Sequence, residues 1–287
     1  MTAVFRHELK NDFHSLTTYL FGACLLAFIG LWAMMYNLQA SVSNFEFVLG
    51  DSCLAFVVIV PILTMRTVAE ERRQKTDQLL YSLPITTLQM VLGKFLALLV
   101  VFAVPLCVIA AYPLIFSRYG EVYLPTSYGS LFAFFLLGCA LLAVGMFLSS
   151  LTENQGFAAG IGIAVILLNY YSVSLSEYAS STAFGSAVAI YVLIVLLGVL
   201  IKHLTGNEKL AWGVGFGLLA VTLVAYFADT AAFEGLLPKI MTRLSLFERF
   251  YVFVNGVFDW TAVVYYVSVI GFFLFLTVQS LEKRRYN

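Results

Sequence analysis

Residues 70–84 read EERRQKTDQLLYSLP, from Glu70 to Pro84, and lie between two long apolar runs. Six of the first eight positions are charged: Glu70, Glu71, Arg72, Arg73, Lys75 and Asp77. Each Asp, Lys or Arg at a bilayer centre costs roughly 2.5–3.5 kcal/mol on insertion scales, so this cluster belongs in water or at a membrane face. The second half changes character. Leu79, Leu80 and Leu83 form one apolar edge of a short helix, and Pro84 stops it by pushing residue 83 away from the helical region. The spacing predicts a charged, half-amphipathic helix held at the membrane surface by a span on either side.

Working outward, the chain of 287 residues is 61% hydrophobic and 11% charged, against about 45–50% and 25% for soluble domains. Mean hydropathy is +0.93. The expected fold is therefore all-α and polytopic, one membrane domain over residues 1–287. A formal net charge of zero points to no nucleic-acid partner. Cys24, Cys53, Cys107 and Cys139 lie in apolar runs without a C-x-x-C pair and read as small buried hydrophobes. His7, His14 and His203 lack ligand spacing, so no metal site is expected. The first apolar run is too long for a cleaved signal peptide and lacks a clear A-x-A site.

Residues 2–14 place Phe5, Leu9 and Phe13 on one side, with Arg6, His7, Lys10 and Asp12 on the other. This reads as an interfacial helix; the alternative is a polar leader to the first span. Apolar runs predict spans over 16–37, 48–68, 87–116, 129–151, 157–174, 183–201, 211–228 and 261–280. Pro61 should kink the second. The third exceeds the usual 20 or so residues and should break at Pro105 or Pro113. Lys94, two turns in, is expected to snorkel to the inner face. Gly156 and Gly160 offer a small-xxx-small contact. Residues 229–259 carry Phe233, Leu236, Leu237, Ile240, Met241, Leu244, Phe247 and Tyr251 at helical spacing, interrupted by Lys239, Arg243, Glu248 and Arg249; this reads as an outer amphipathic or re-entrant segment.

With eight spans both termini share a side, and twelve of the sixteen Lys and Arg fall on it. The positive-inside rule then places the termini and residues 70–84 in the cytoplasm. A six-span arrangement keeps the same parity. Catalytic motifs are missing: no Walker A loop, nucleophile elbow or HExxH occurs. The span centres carry no clear ionisable group of the kind that proton-coupled pumps use.

The run from Glu70 to Thr86, followed by Gly93-Lys94, resembles the first cytoplasmic loop of ABC-2-type permeases, whose common form reads E-x-x-x-G-T-x-x-L-L-x-x-L-P-(I/V)-(S/T) and then G-K. Thr76, Leu79, Leu80, Leu83, Pro84 and Gly93-Lys94 match, while Lys75 stands where the glycine is usual. The turn from Ser149 to Gln155 fits as well, and the C-terminal end resembles the gliding-motility subset. The resemblance covers most of 1–160 and 244–285. It implies a permease without an engine of its own, working as a dimer of identical or paired permeases. A cytosolic ATPase dimer would bind the ATP and Mg, so this chain needs no cofactor. Residues 70–84 would be the coupling helix, with Glu70 and Glu71 pairing with basic groups on the ATPase and Leu79 and Leu80 filling its groove. Residues 2–14 would be the connecting helix. Such permeases usually have six spans, so 183–228 reads as an inserted helix pair. The implied function is export of a lipid-like, amphipathic or peptide cargo across a prokaryotic cell membrane. The alternative is a mechanical transmitter that couples hydrolysis to an extracytoplasmic auxiliary protein.

Overall fold

A computed structural model of the chain describes residues 2–76, 85–205 and 208–286. The elements run α1 (Thr2–His14), α2 (Leu16–Ala33) continuing into a π-helical turn (Met34–Gln39), α3 (Phe45–Thr64), α4 (Ala69–Gln74), α5 (Thr87–Ile109), α6 (Ala111–Phe116), α7 (Leu124–Leu151), α8 (Gln155–Tyr170), α9 (Ser172–Tyr178), α10 (Ala183–Thr205), α11 (Glu208–Ala228), a 3-10 turn (Ala231–Phe233), α12 (Leu236–Leu244), α13 (Leu246–Val254) and α14 (Trp260–Tyr286). No strand occurs among the described residues. Among the described residues, six helices are long and apolar enough to cross a membrane, or up to eight if each of two bent helix pairs counts as one span.

Local chemistry accounts for the helix starts. The Ser15 hydroxyl accepts from the Thr17 N–H and caps α2. Thr86 and Gln89 form a reciprocal capping box at α5, which satisfies two orphan donors at once. Pro125 stands in the first turn of α7, where a missing N–H costs nothing. The break after α5 comes at Ala110, between the two prolines expected to cause it. Pro105 stays inside α5, whereas Pro113 cannot donate to the carbonyl four residues back, at Ile109, and the helix restarts just before it.

The chain divides into two compact units, residues 1–167 with 246–278, and residues 168–245 with 279–287. In the first, α3 and α7 run side by side and form the axis, with 72% and 78% of their apolar windows buried, against 28% for α2 and α14. Phe102 of α5 sits among aromatic rings. It meets Phe21 edge-on at 6.2 Å and Phe56 at 5.8 Å, and stacks on Phe135 at 5.9 Å. Phe134 continues the cluster to Phe56 (4.5 Å) and Phe250 (5.8 Å). Lipid tails are as apolar as these side chains, so close packing rather than water exclusion holds the helices together. Glycine makes that approach feasible at Gly138, where a Cβ would stand 2.2 Å from the Phe102 ring. On α8 the tight contact is Gly162 against Pro61. The expected Gly156–Gly160 pair does not fill that role: Gly160 has open space and Gly156 meets only Asn154.

At the end of this unit where α3 and α7 begin, Glu46 is buried and accepts from Asn44 Nδ2 (2.9 Å) and Ser127 Oγ (3.2 Å). Tyr36 Oη donates to Asp51 at 2.6 Å. The amphipathic stretch over 229–259 is not one helix. Extended backbone at Ser245 separates α12 from α13 and resets the helical phase. Leu246, Phe247, Phe250, Phe253 and Val254 become a buried face in α13, while the residues of α12 are at most half-buried. Ser130 Oγ donates to the Phe253 carbonyl (3.0 Å) and the buried Tyr266 Oη to the Leu246 carbonyl (2.8 Å), fixing α13 in place.

The second unit holds α9 to α12, including the helices expected as an inserted pair over 183–228. Its core is small: Ala183, Ala187 and Phe233, with Ile190, Tyr191, Tyr226 and Leu236 packed around them. The run expected as a span over 157–174 is interrupted at Tyr171, where α8 gives way to α9.

Gly138→Ala is expected to destabilise the detergent-solubilised protein by about 1–3 kcal/mol. Phe102 has rings on three sides and cannot swing away. An unchanged thermal melting curve would overturn the close-packing account.

Candidate functional site

The charged stretch grows out of the end of α3. Beyond Thr64 the chain turns through residues 65–68 and enters α4. The fully buried Ser149, near the end of α7, holds this turn. Its hydroxyl accepts from the N–H groups of Val68 (3.3 Å) and Ala69 (3.1 Å) and donates to the Met65 carbonyl (3.1 Å). One side chain thus satisfies two donors at the start of α4, which otherwise lack intrahelical partners.

α4 carries Glu70, Glu71, Arg72 and Arg73 on different faces. Glu71 points inward and accepts from the Lys94 ammonium at 2.5 Å. The same Nζ lies 2.9 Å from Glu8 of α1. The Lys94 side chain is 2% exposed, so the expectation that it snorkels to a face is corrected. Two carboxylates nearby make burial the better solution for that charge. Three helices, α1, α4 and α5, meet at one nitrogen. Gly93 makes room for this: a Cβ there would lie 3.0 Å from Val4 Cγ1 and 3.4 Å from the Phe5 backbone nitrogen.

Glu70 is held by Arg66 (3.7 Å) and Gln74 Nε2 (3.2 Å). Arg66 in turn donates to Thr17 Oγ1 of α2 at 3.0 Å. Arg72 is buried, whereas Arg73, Gln74 and Lys75 are exposed. The described part of the loop therefore turns basic groups outward, and Glu71, expected to pair with a partner, has its carboxylate on Lys94. Asp77, Leu79, Leu80, Leu83 and Pro84 lie outside the described residues.

Lys75 ends α4 with φ +58°, in the left-handed region. Its N–H donates to the Arg72 carbonyl (3.2 Å) and the Thr76 N–H to the Glu71 carbonyl (3.0 Å). This is the paired closure that glycine favours after a helix, and it stands where the resembling loops carry glycine. Lysine here bears a Cβ clash that glycine avoids.

On α1, Phe5, Leu9 and Phe13 are half-buried. The most buried residue of α1 is Val4, and the face turned to the protein also carries Glu8 and Asp12. Sequence reading missed Glu8, Arg66 and Ser149 as site residues. The signal for Glu8 was Lys94 itself, since a lone cation inside an apolar run calls for a carboxylate from another helix. A cavity of about 670 Å³ opens beside the clamp, lined by residues that include His7, Asp12, Thr18, Arg66, Glu70 and Lys94. Burial, and then the negative charge of Glu8, pushes the Asp12 carboxyl up to about 6, with Lys94 opposing.

The family described as ABC-2 family transporter protein matches residues 33–176. No curated protein and no solved structure matches the chain. The matched stretch contains Arg66, Glu71, Lys94 and Ser149 but not Glu8.

Two outcomes follow from this geometry. Lys75→Gly is expected to raise stability by about 0.5–1 kcal/mol, the left-handed strain removed less the added freedom of the unfolded chain. Lys75→Ala should give no gain, and equal melting temperatures for all three proteins would overturn the strain. Asp12 carries a folded-state value of about 6 against an ordinary 3.8, so the native state keeps a proton that the unfolded chain releases across that window. Stability falls as pH rises through it. Asp12→Asn should therefore melt above the parent at pH 7.5, with the gap closing toward pH 4. A gap that does not change with pH would refute the burial effect.

Proposed function

The chain belongs to the ABC-2 transporter family, and on that premise we propose that it is the permease half of an ATP-driven exporter, moved through the junction of α4 with α1, α5 and α7. Family membership makes it a membrane subunit of an ABC transporter, with an ABC ATPase as its partner. We assign ATP and Mg to that ATPase and no cofactor to this chain. The loop from Glu70 to Pro84 is the docking element, at the cytoplasmic face of a prokaryotic cell membrane with both termini on that side. Two permease copies, identical or paired, would sit on two ATPase subunits. The cargo is lipid-like, amphipathic or a peptide, in keeping with the apolar and aromatic faces of the spans.

The observation that carries the reading is the Lys94 clamp. A push on α4 is felt at Glu71, and the ammonium passes it to α5 and, through Glu8, to the interfacial helix α1. Ser149 gives the same push a second route into the axial helix α7. Arg73 and Lys75, exposed on the described part of the loop, supply charge for an acidic surface on the ATPase. Glu70, braced by Arg66, stands beside them.

Docking and relay separate experimentally. Replacing Glu70, Arg73 and Lys75 together by Ala should lower the ATPase that co-purifies by about tenfold, or about 1.4 kcal/mol, with membrane insertion kept. Lys94→Met should leave the ATPase bound but remove the permease's influence on its turnover in proteoliposomes. Unchanged co-purification overturns the docking face, and unchanged turnover control overturns the relay. Turnover that responds only to an extracytoplasmic protein, and to no cargo, would favour a mechanical transmitter over an exporter.

A further inference from the structure

Beside α1 lies a groove of about 380 Å³ that the relay does not use. Thr2, Phe5, Leu96, Leu99, Val100, Ala103 and Phe135 line it. Leu96, Leu99, Val100 and Ala103 recur at i, i+3, i+4 and i+7, so they form one stripe of α5 about 10 Å long. Ala103 leaves the floor low, and Phe135, stacked on Phe102, forms a wall. The groove thus begins at an amphipathic helix and runs along a span for two turns. It is the shape of an extended hydrocarbon chain lying against a membrane helix.

The polar end carries matching charge. On α1 the groove-lining Thr2 is followed at i+4 and i+8 by Arg6 and Lys10, on one strip. Both cations are exposed. The two carboxylates of α1, Glu8 and Asp12, line the separate polar cavity and not the groove. We propose that this groove binds one anionic phospholipid, its acyl chain along Leu96 to Ala103 and its phosphate on Arg6 and Lys10. An apolar slot edged by Thr2, with two exposed cations further along the same helix strip, suits this occupant. A second copy of the chain suits it poorly, because a two-fold contact here would bring Arg6 and Lys10 toward their own counterparts. The inference is independent of ATPase docking.

The test uses the full-length purified protein, delipidated in detergent and titrated with phosphatidylglycerol or with phosphatidylcholine of the same chains, bound lipid being read by native mass spectrometry. Phosphatidylglycerol should be retained more strongly, by about fivefold for each cation engaged. Arg6→Gln with Lys10→Gln should bring it down to the phosphatidylcholine level, and these surface changes leave the fold intact. Ala103→Phe, which fills the slot, should reduce both lipids, and glycerol phosphate alone should displace neither. Equal retention of the two lipids, or indifference to Arg6→Gln with Lys10→Gln, overturns the proposal. So does displacement by glycerol phosphate, which would mean a phosphate site only. So does a change in oligomeric state in Ala103→Phe without loss of lipid, which would mark the groove as a contact between copies.

Discussion

A single buried ammonium organises one end of the first unit. Lys94 lies in a helix that is otherwise apolar for its length, and an isolated charge there would cost several kcal/mol. Two carboxylates from two other helices make it tolerable. The arrangement is demanding, since removing either partner of a buried pair leaves the other charge stranded, at about 3–5 kcal/mol. α1, α4 and α5 are therefore obliged to meet, although no continuous apolar face drives them together. This also explains why α1 turns part of its polar side inward: Glu8 goes where the cation is. Asp12, carried along by the same helix one turn later, ends up partly buried without a comparable partner, and its carboxyl is pushed up in consequence.

The rest of the unit converts that junction into something stiff. α3 and α7 are the most buried of the long apolar helices, and both reach the junction: α3 by running directly into the turn before α4, α7 through the Ser149 hydroxyl. Between them, aromatic rings and a glycine-sized gap at Gly138 set the helix separations. At the other end, Ser130 and Tyr266 hold α13 by its backbone carbonyls. These two bonds tie a short helix to two long ones at once, Ser130 from α7 and Tyr266 from α14. The second unit is built differently. Its long helices α10 and α11 expose Val192, Leu196, Val199, Phe216, Val221 and Val224, which in a bilayer face hydrocarbon at no cost. The small core around Ala183, Ala187 and Phe233 suffices there because each helix satisfies its own backbone.

Long-period features of this fold were legible residue by residue, and short-range exceptions were not. Runs of apolar residues located the long helices to within a few positions, whereas the capping box of Thr86 with Gln89 and the start of α7 at Leu124, beside Pro125, came only with the structure. Pro113 signalled a broken third span, though the break falls at Ala110, because proline acts on the carbonyl one turn behind it. Lys75 was visible as a departure from the resembling loops, yet only its positive φ explains why glycine is the usual residue. The stretch over 229–259 looked like one stripe because its spacing is helical throughout; extended backbone at Ser245 breaks it, and periodicity does not register a change of phase. Lys94 signalled that some carboxylate must reach it, but nothing local singled out Glu8, an ordinary polar residue on an amphipathic helix, or Ser149, a serine in a polar turn.

The chain's composition, its spacing of apolar runs and its charged interruption at residues 70–84 determined that it is a helical membrane protein with a polar loop between two spans, and the order of that loop's residues pointed to its family. These are properties of each segment against its solvent, and each segment carries them alone. Which side chains meet was decided by the tertiary structure: Glu8 and Glu71 on Lys94, Ser149 under α4, Phe102 against Gly138. Those partners lie 86, 23, 80 and 36 positions apart, as the differences of their residue numbers show. Their pairing follows from how the helices cross, and no local pattern encodes a crossing.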